Sequence, residues 1–382
     1  MGSGAKRCAC FKGYGPVPVG QVSWNVVERG SPNPFQPPPS RVAEAPRVPS
    51  QRPGLSLTFD RCAAPSEVQL SRRVVSAGCD IGVSDRDPHT GFVVLAHLPG
   101  RPLEVLDAPV NYSAREAVLK VPRAINAHGA DYLVIDAPLL PVPTDRPPDD
   151  HVGFFRPHEK LVSQPTNAAV AVMPEHDQAY VGAFGNRLQV FSTWGEETRK
   201  RAPFAIAGQS VLDEVSRHTC LRYQNDFRQV PDAGIFEGFP KLFYALAPAV
   251  DLAKITDLRA KGEVDEAVLA WLLDLGHPER LWAKVGIELP AQGSASNRRL
   301  SLALEDPDQI CALAMAVNGL LLARGRASVL CSSNRNGSFD FGHILALELG
   351  LIEPWAQVWL ADRMSKASAD FPAVRTWGVD GV

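Results

Sequence analysis

The chain is expected to fold as an α/β protein on a mixed sheet, three antiparallel strands continuing into parallel ones, with helices flanking it. Three observations predict this. Short apolar runs at 74–81, 91–98 and 103–106 are separated by turn formers, the pattern of a meander. A helical period over 114–127 leads at once into the apolar run 131–135, the pattern of a crossover into a parallel strand. A short strand at 234–237 and a long apolar helix over 306–322 continue the alternation.

The elements can be justified in order. Residues 1–72 read as a proline-rich, basic leader that is poorly ordered. A third of the 33 prolines fall there, and proline at that density sustains neither helix nor central strand. Through Arg73 the stretch holds ten Lys and Arg against four Asp and Glu, so it reads as a solvated linker or as an arm that helps hold a polyanion. The folded domain is expected over 73–330. Its helix at 114–127 has Ser113 as N-cap and Glu116 three residues on, a capping box, and Pro122 should kink or split it. The run 131–135 is the most apolar strand, and Asp136-Ala137-Pro138 at its end suggests a central strand opening on a crevice. Residues from about 139 to 230 are too long for a simple connection and read as a helical insertion, with a helix near 209–220. Helices are expected at 241–246, 263–275 and 278–285. Asp306-Pro307 is a start signal for the helix that follows, and 328–331 is a further strand. Residues 331–382 are expected to form a helical appendage, with helices at 341–349 and 354–364.

Composition narrows the function classes. With 45% hydrophobic residues the 382-residue chain can bury a substantial core. A formal net charge of -3 argues against a protein that coats nucleic acid nonspecifically. No apolar run is long enough for a membrane span, and the N-terminus lacks a signal peptide's apolar region. Seven scattered cysteines without a CxxC pair read as reduced thiols in a cytoplasmic protein. No GxxxxGK[ST], HExxH or GxSxG motif is present.

Four acids stand out: Asp80, Asp136 and Glu237 at strand ends, and Asp308 at a helix start. Carboxylates at the ends of buried strands are costly unless a cation neutralises them. One by one, each has a bland explanation. Asp136 would cap a turn, and Asp308 suits the helix dipole. The functional reading rests on the four acids occurring in order, in elements that would converge.

Three strands, a helix, a strand, a helical region, a strand and a helix is the element order of the ribonuclease-H-like fold. Four segments sharpen this: Cys79-Asp80-Ile81-Gly82, Val134-Ile135-Asp136-Ala137-Pro138-Leu139, Phe236-Glu237-Gly238-Phe239-Pro240, and Asp308-Gln309-Ile310-Cys311-Ala312-Leu313-Ala314. Together they resemble the family called domain of unknown function 429, predicted ribonuclease-H-like nucleases, over roughly 74–323. The chain departs from that pattern in Gln309 and Ile310, where the family often has a second acid, with Asp306 two residues before Asp308. The segment 156–160 stands where the family often has Arg and Cys.

The resemblance implies a magnesium- or manganese-dependent nuclease-like hydrolase of phosphodiester bonds, with nucleic acid as substrate. Asp80 would bridge two metal ions, Asp136 and Asp308 would each hold one, and Glu237 would be a fourth ligand or a base. Lys241, His158, Glu159 and Asp306 are expected as supporting or substrate-contacting residues. Two alternatives stand beside it: a non-catalytic ribonuclease-H-like scaffold or binding protein, and an actin-like ATPase or phosphotransferase. The leader and the C-terminal helices are candidate contacts for a protein partner.

Overall fold

The computed structural model describes residues 56–61, 65–139, 198–224, 230–240, 242–243, 286–333 and 342–351. In chain order, β1 (Ser56–Arg61) and α1 (Glu67–Ser71) precede β2 (Val74–Asp80), β3 (Thr90–His97), β4 (Glu104–Val105) and β5 (Val110–Tyr112). Then come α2 (Ala114–His128), β6 (Tyr132–Asp136), α3 (Thr198–His218) and β7 (Gly234–Glu237). The described chain closes with α4 (Ala295–Ala303), α5 (Pro307–Ala323), β8 (Ala327–Ser333), β9 (His343–Leu347) and a 3-10 turn at Leu349–Leu351.

The main sheet has the order β4-β3-β2-β6-β7, with β5 also pairing β3. The first three strands are antiparallel to one another, and β6 and β7 add in parallel beyond β2. This is the mixed sheet expected from the apolar runs. β2 and β3 are buried along their whole length because helices cover both faces. On one face Val75, Ala77, Cys79, Leu133 and Ile135 pack against Ala117, Val121 and Ile125 of α2 and Val211 and Val215 of α3.

Helix α2 has the capping box read from Ser113 and Glu116, and Gly129 ends it in the left-handed conformation. It is one continuous helix through Pro122, where a kink or split was expected. Pro122 is buried on the core-facing side, so packing offsets the lost backbone hydrogen bond.

The other face carries α5, in which every residue from Asp308 to Ala323 except Cys311 is buried. A helix apolar all round must be enclosed on all sides. Contacts with β2, β3 and β6 cover one side, and β8 and β9 also touch it. Close approach to β2 and β3 depends on two glycines. A Cβ at Gly78 would lie 1.9 Å from the Ala312 carbonyl oxygen, and one at Gly91 would lie 2.1 Å from that of Asp308.

A second sheet of order β1-β8-β9, antiparallel throughout, was not expected. It corrects two readings. Residues 56–61 and 67–71, placed in the poorly ordered leader, form β1 and α1. Residues 343–347, expected within a helix of the C-terminal appendage, form β9. The Leu- and Ala-containing segment favours helix locally, but pairing with β8 and burial of every residue decide for strand. A bridge between Gly238 and Leu345 brings the end of β7 beside β9. The first 55 residues, the helices expected at 263–275, 278–285 and 354–364, and most of the expected insertion lie outside the described residues. Its described part is α3, which begins eleven residues before the helix expected at 209–220.

Candidate active site at the strand ends

Two parallel strands ending in register bring their last side chains together. The pairing of β2 with β6 sets Asp80 directly beside Asp136. Residues in register leave a sheet on the same face, so the two carboxylates emerge side by side. Asp136 and Cys311, one turn into α5, both lie close enough to act on the Asp80 carboxyl. Burial first, then the Asp136 and Asp308 carboxylates, push Asp80 well above the usual carboxylate range. Burial also pushes the neighbouring Cys79 thiol up.

Asp308 reaches this place through the start of α5. Asp306 is the N-cap, accepting from the backbone N–H groups of Asp308 at 2.9 Å and Gln309 at 3.1 Å. Its other oxygen accepts from Asn111 Nδ2 at 3.0 Å, and Gln309 donates back to Asn111. Asp306, expected as a supporting residue, thus anchors the helix start to β5. The backbone of Asp308 rests on Gly91, which is the partner of Asp80 across β2 and β3.

Asp308 Oδ2 lies 3.3 Å from Nδ1 of His89. His89 ends the loop between β2 and β3. The base of that loop is closed by Gly82 and Thr90, whose backbone N–H and Oγ1 are 3.0 Å apart. The tip is tied to α2 through the Ala114 N–H and the Ser84 carbonyl at 2.9 Å. Sequence reading missed His89 because an isolated histidine in a turn carries no periodic signal. Cys311, three residues past Asp308, shares its side of the helix, a spacing that was the one available signal for it.

Glu237 is placed differently. Its register partner is Ile135, one residue out of step with Asp136, so it leaves the sheet on the opposite face. It is buried, and Tyr223 Oη donates to its Oε1 at 2.7 Å. Tyr223 Oη is 3.1 Å from Nδ1 of His343, and the Glu237 backbone N–H donates to His343 Nε2 at 3.1 Å. The backbone donor makes Nε2 the acceptor, so Nδ1 carries the hydrogen. The resulting chain runs from His343 to Tyr223 to the Glu237 carboxylate and ties β7 to β9. Lys241, His158 and Glu159 lie outside the described residues.

The structure therefore brings together Asp80, Asp136 and Asp308, adds His89 and Cys311, and sets Glu237 in a separate network. Among the described residues no group of three or more His, Cys, Asp and Glu side chains has the spacing of a metal centre. The donor chemistry of the Asp80–Asp136 pair nevertheless fits a hard divalent cation, which is commonly held by one or two carboxylates and completes its shell with water and substrate oxygens. Burial and then the neighbouring carboxylates raise Asp80, and a cation there would favour its charged form. No family model, curated protein or solved structure matches the chain.

Proposed function

We propose that the protein hydrolyses phosphodiester bonds of a nucleic acid on a ribonuclease-H-like sheet, with magnesium or manganese held by Asp80 and Asp136. The observation that carries this reading is the in-register pairing of those two carboxylates at the ends of buried central strands. The antiparallel trio β2, β3 and β4 followed by parallel β6 and β7 supports the fold assignment. Fold alone does not give an activity; the chemistry of the site does.

A divalent cation held there would polarise a phosphoryl oxygen and stabilise the leaving alkoxide. The protein's own groups do the rest. Asp80 and Asp136 fix the charge at the mouth of the sheet. Asp308 turns one oxygen to His89 and is assigned to that imidazole. Glu237, engaged by Tyr223, holds β7 against β9 and is not assigned a reacting role.

A second reading is a binding protein that keeps this sheet without catalysis, since a fold does not by itself carry an activity. The test is incubation of the full chain with labelled DNA, RNA and hybrid, with magnesium, manganese or chelator. Cation-dependent cutting that Asp136→Asn abolishes without altering the fold supports hydrolysis. Nucleic-acid binding without cutting, unchanged in Asp136→Asn, supports the second reading.

No helix among the described residues is long and apolar enough to cross a membrane.

A further inference from the structure

A two-cation site needs a carboxylate set large enough to hold both ions. Here the third acid, Asp308, is already directed at an imidazole. The two members of that pair sit in different surroundings: the Asp308 side chain is 8% exposed and that of His89 42%. With Asp308 ionised, a neutral His89 ring would carry its hydrogen on Nδ1, facing that carboxylate, and its lone pair on Nε2. Among the described residues Nε2 makes no hydrogen bond. In that state the lone pair lies on the ring nitrogen turned away from Asp308.

The position of the pair matters as much as its orientation. Asp308 is close enough to Asp80 to raise its proton affinity, and its backbone sits on Gly91, directly across from Asp80. His89 lies two residues before Gly91, at a loop base closed by Gly82 and Thr90. A phosphodiester seated at the Asp80–Asp136 pair would thus have an oriented imidazole beside it.

We propose that His89, oriented by Asp308, is the group that takes the proton from the attacking water, so that a single cation on Asp80 and Asp136 suffices for hydrolysis. This rests on the phosphodiester reading above. In the step, one O–H bond of water breaks and its proton passes to Nε2 while the water oxygen forms a bond to phosphorus. The P–O bond to the leaving group breaks, and its electron pair stays on the departing oxygen, which takes a proton from solvent. His89 then returns its proton to solvent. Asp308 is a positioning residue in this scheme, and His89 is the catalytic one.

Two measurements on the full chain decide it. The first needs no cation: diethyl pyrocarbonate modifies histidine at a free, basic nitrogen, and peptide mapping gives the rate at His89. Replacing the orienting carboxylate, in Asp308→Asn, is expected to slow that rate by about tenfold. The second follows manganese-dependent cleavage of bis(p-nitrophenyl) phosphate. His89→Ala is expected to lower kcat by about a hundredfold or more with KM little changed. Added imidazole should restore part of the loss, which a structural role would not allow. Equal modification rates in the wild type and Asp308→Asn, or full hydrolysis by a folded His89→Ala, overturn the assignment while leaving the phosphodiester reading standing. No cleavage of this ester or of nucleic acid by the wild type overturns both.

Discussion

The two ends of the central strand pair carry charge in opposite ways. At the end where β2 begins, Arg72, Asp131 and Arg324 each have structural partners. Arg72 donates to Asp131 Oδ1 and to the Asp232 carbonyl, both at 2.7 Å, and the Val75 N–H donates to Asp131 Oδ2 at 2.8 Å. Arg324, just past α5, donates to the carbonyls of Leu70, Arg72 and His97. At the end where β2 stops, burial first and then the Asp136 and Asp308 carboxylates raise the proton affinity of Asp80. The first arrangement lowers the energy of the fold. The second raises it, and such a cost persists where a site needs it. Polar groups in the same sheet thus divide into those that hold it together and those that it holds in place.

The sharpest way to break the contrast is to neutralise one acid at each end. Asp136→Asn is expected to lower hydrolysis by about a hundredfold or more, since a supporting residue alone costs up to that much. In chelator the same variant should melt at a higher temperature than the wild type, because Asp80 loses its nearest like charge. Asp131→Asn should do the reverse, leaving hydrolysis intact and lowering unfolding free energy by about 2 kcal/mol in urea titration. Melting shifts of the same sign would erase the distinction.

Next in size is the contact that connects the two ends through α5. Gly78→Ala drives a methyl group into the Ala312 carbonyl and the Ala316 backbone nitrogen. Overpacking against backbone should cost about 3 kcal/mol or more, read from urea denaturation. Hydrolysis should fall with it, because the same displacement moves Asp308 away from Asp80.

The structural end also has a pH signature. His97 is buried, and neither ring nitrogen has a hydrogen-bond partner. Burial, then the Arg324 charge, hold the imidazole below its usual range. A lowered folded value means that the unfolded chain takes up the proton first. Stability is therefore complete above about pH 6.5 and is lost as pH falls from there toward the folded value. His97→Phe should flatten that limb of a stability-against-pH curve. An unchanged slope would mean that another group governs it.

The smallest effect expected is at the Glu237 network. Tyr223→Phe removes one donor to a buried carboxylate and should cost about 1 kcal/mol in thermal melts. Hydrolysis should be unchanged, since Glu237 lies on the face away from Asp136. A large kinetic loss would restore Glu237 to the reacting centre.

Much of this was legible in the residues because the physics was local. Apolar runs gave β2, β3 and β6, the capping box gave α2, and Asp306-Pro307 gave the start of α5. The convergence of Asp80, Asp136 and Asp308 followed from strand and helix ends. What was not legible depends on relations between segments. Whether Glu237 stands beside Asp136 or one residue out of step is a matter of register between β6 and β7, which four residues of strand do not encode by themselves. β9 is a strand only because β8 offers an edge. His89, Tyr223 and His343 act as single side chains with no repeating pattern, and their partners are 14 to 219 residues away.

The pairing of β1 with β8 has a practical consequence for anyone trimming the molecule. A protein begun at Arg73, where the proline-rich stretch gives way to the first central strand, would lose all six rungs of that ladder. The unprotected amide edge left on β8 would invite association with other copies. Shortened versions should therefore keep the residues from Ser56 onward, and one that precipitates after losing them would show a bared edge rather than a failed core.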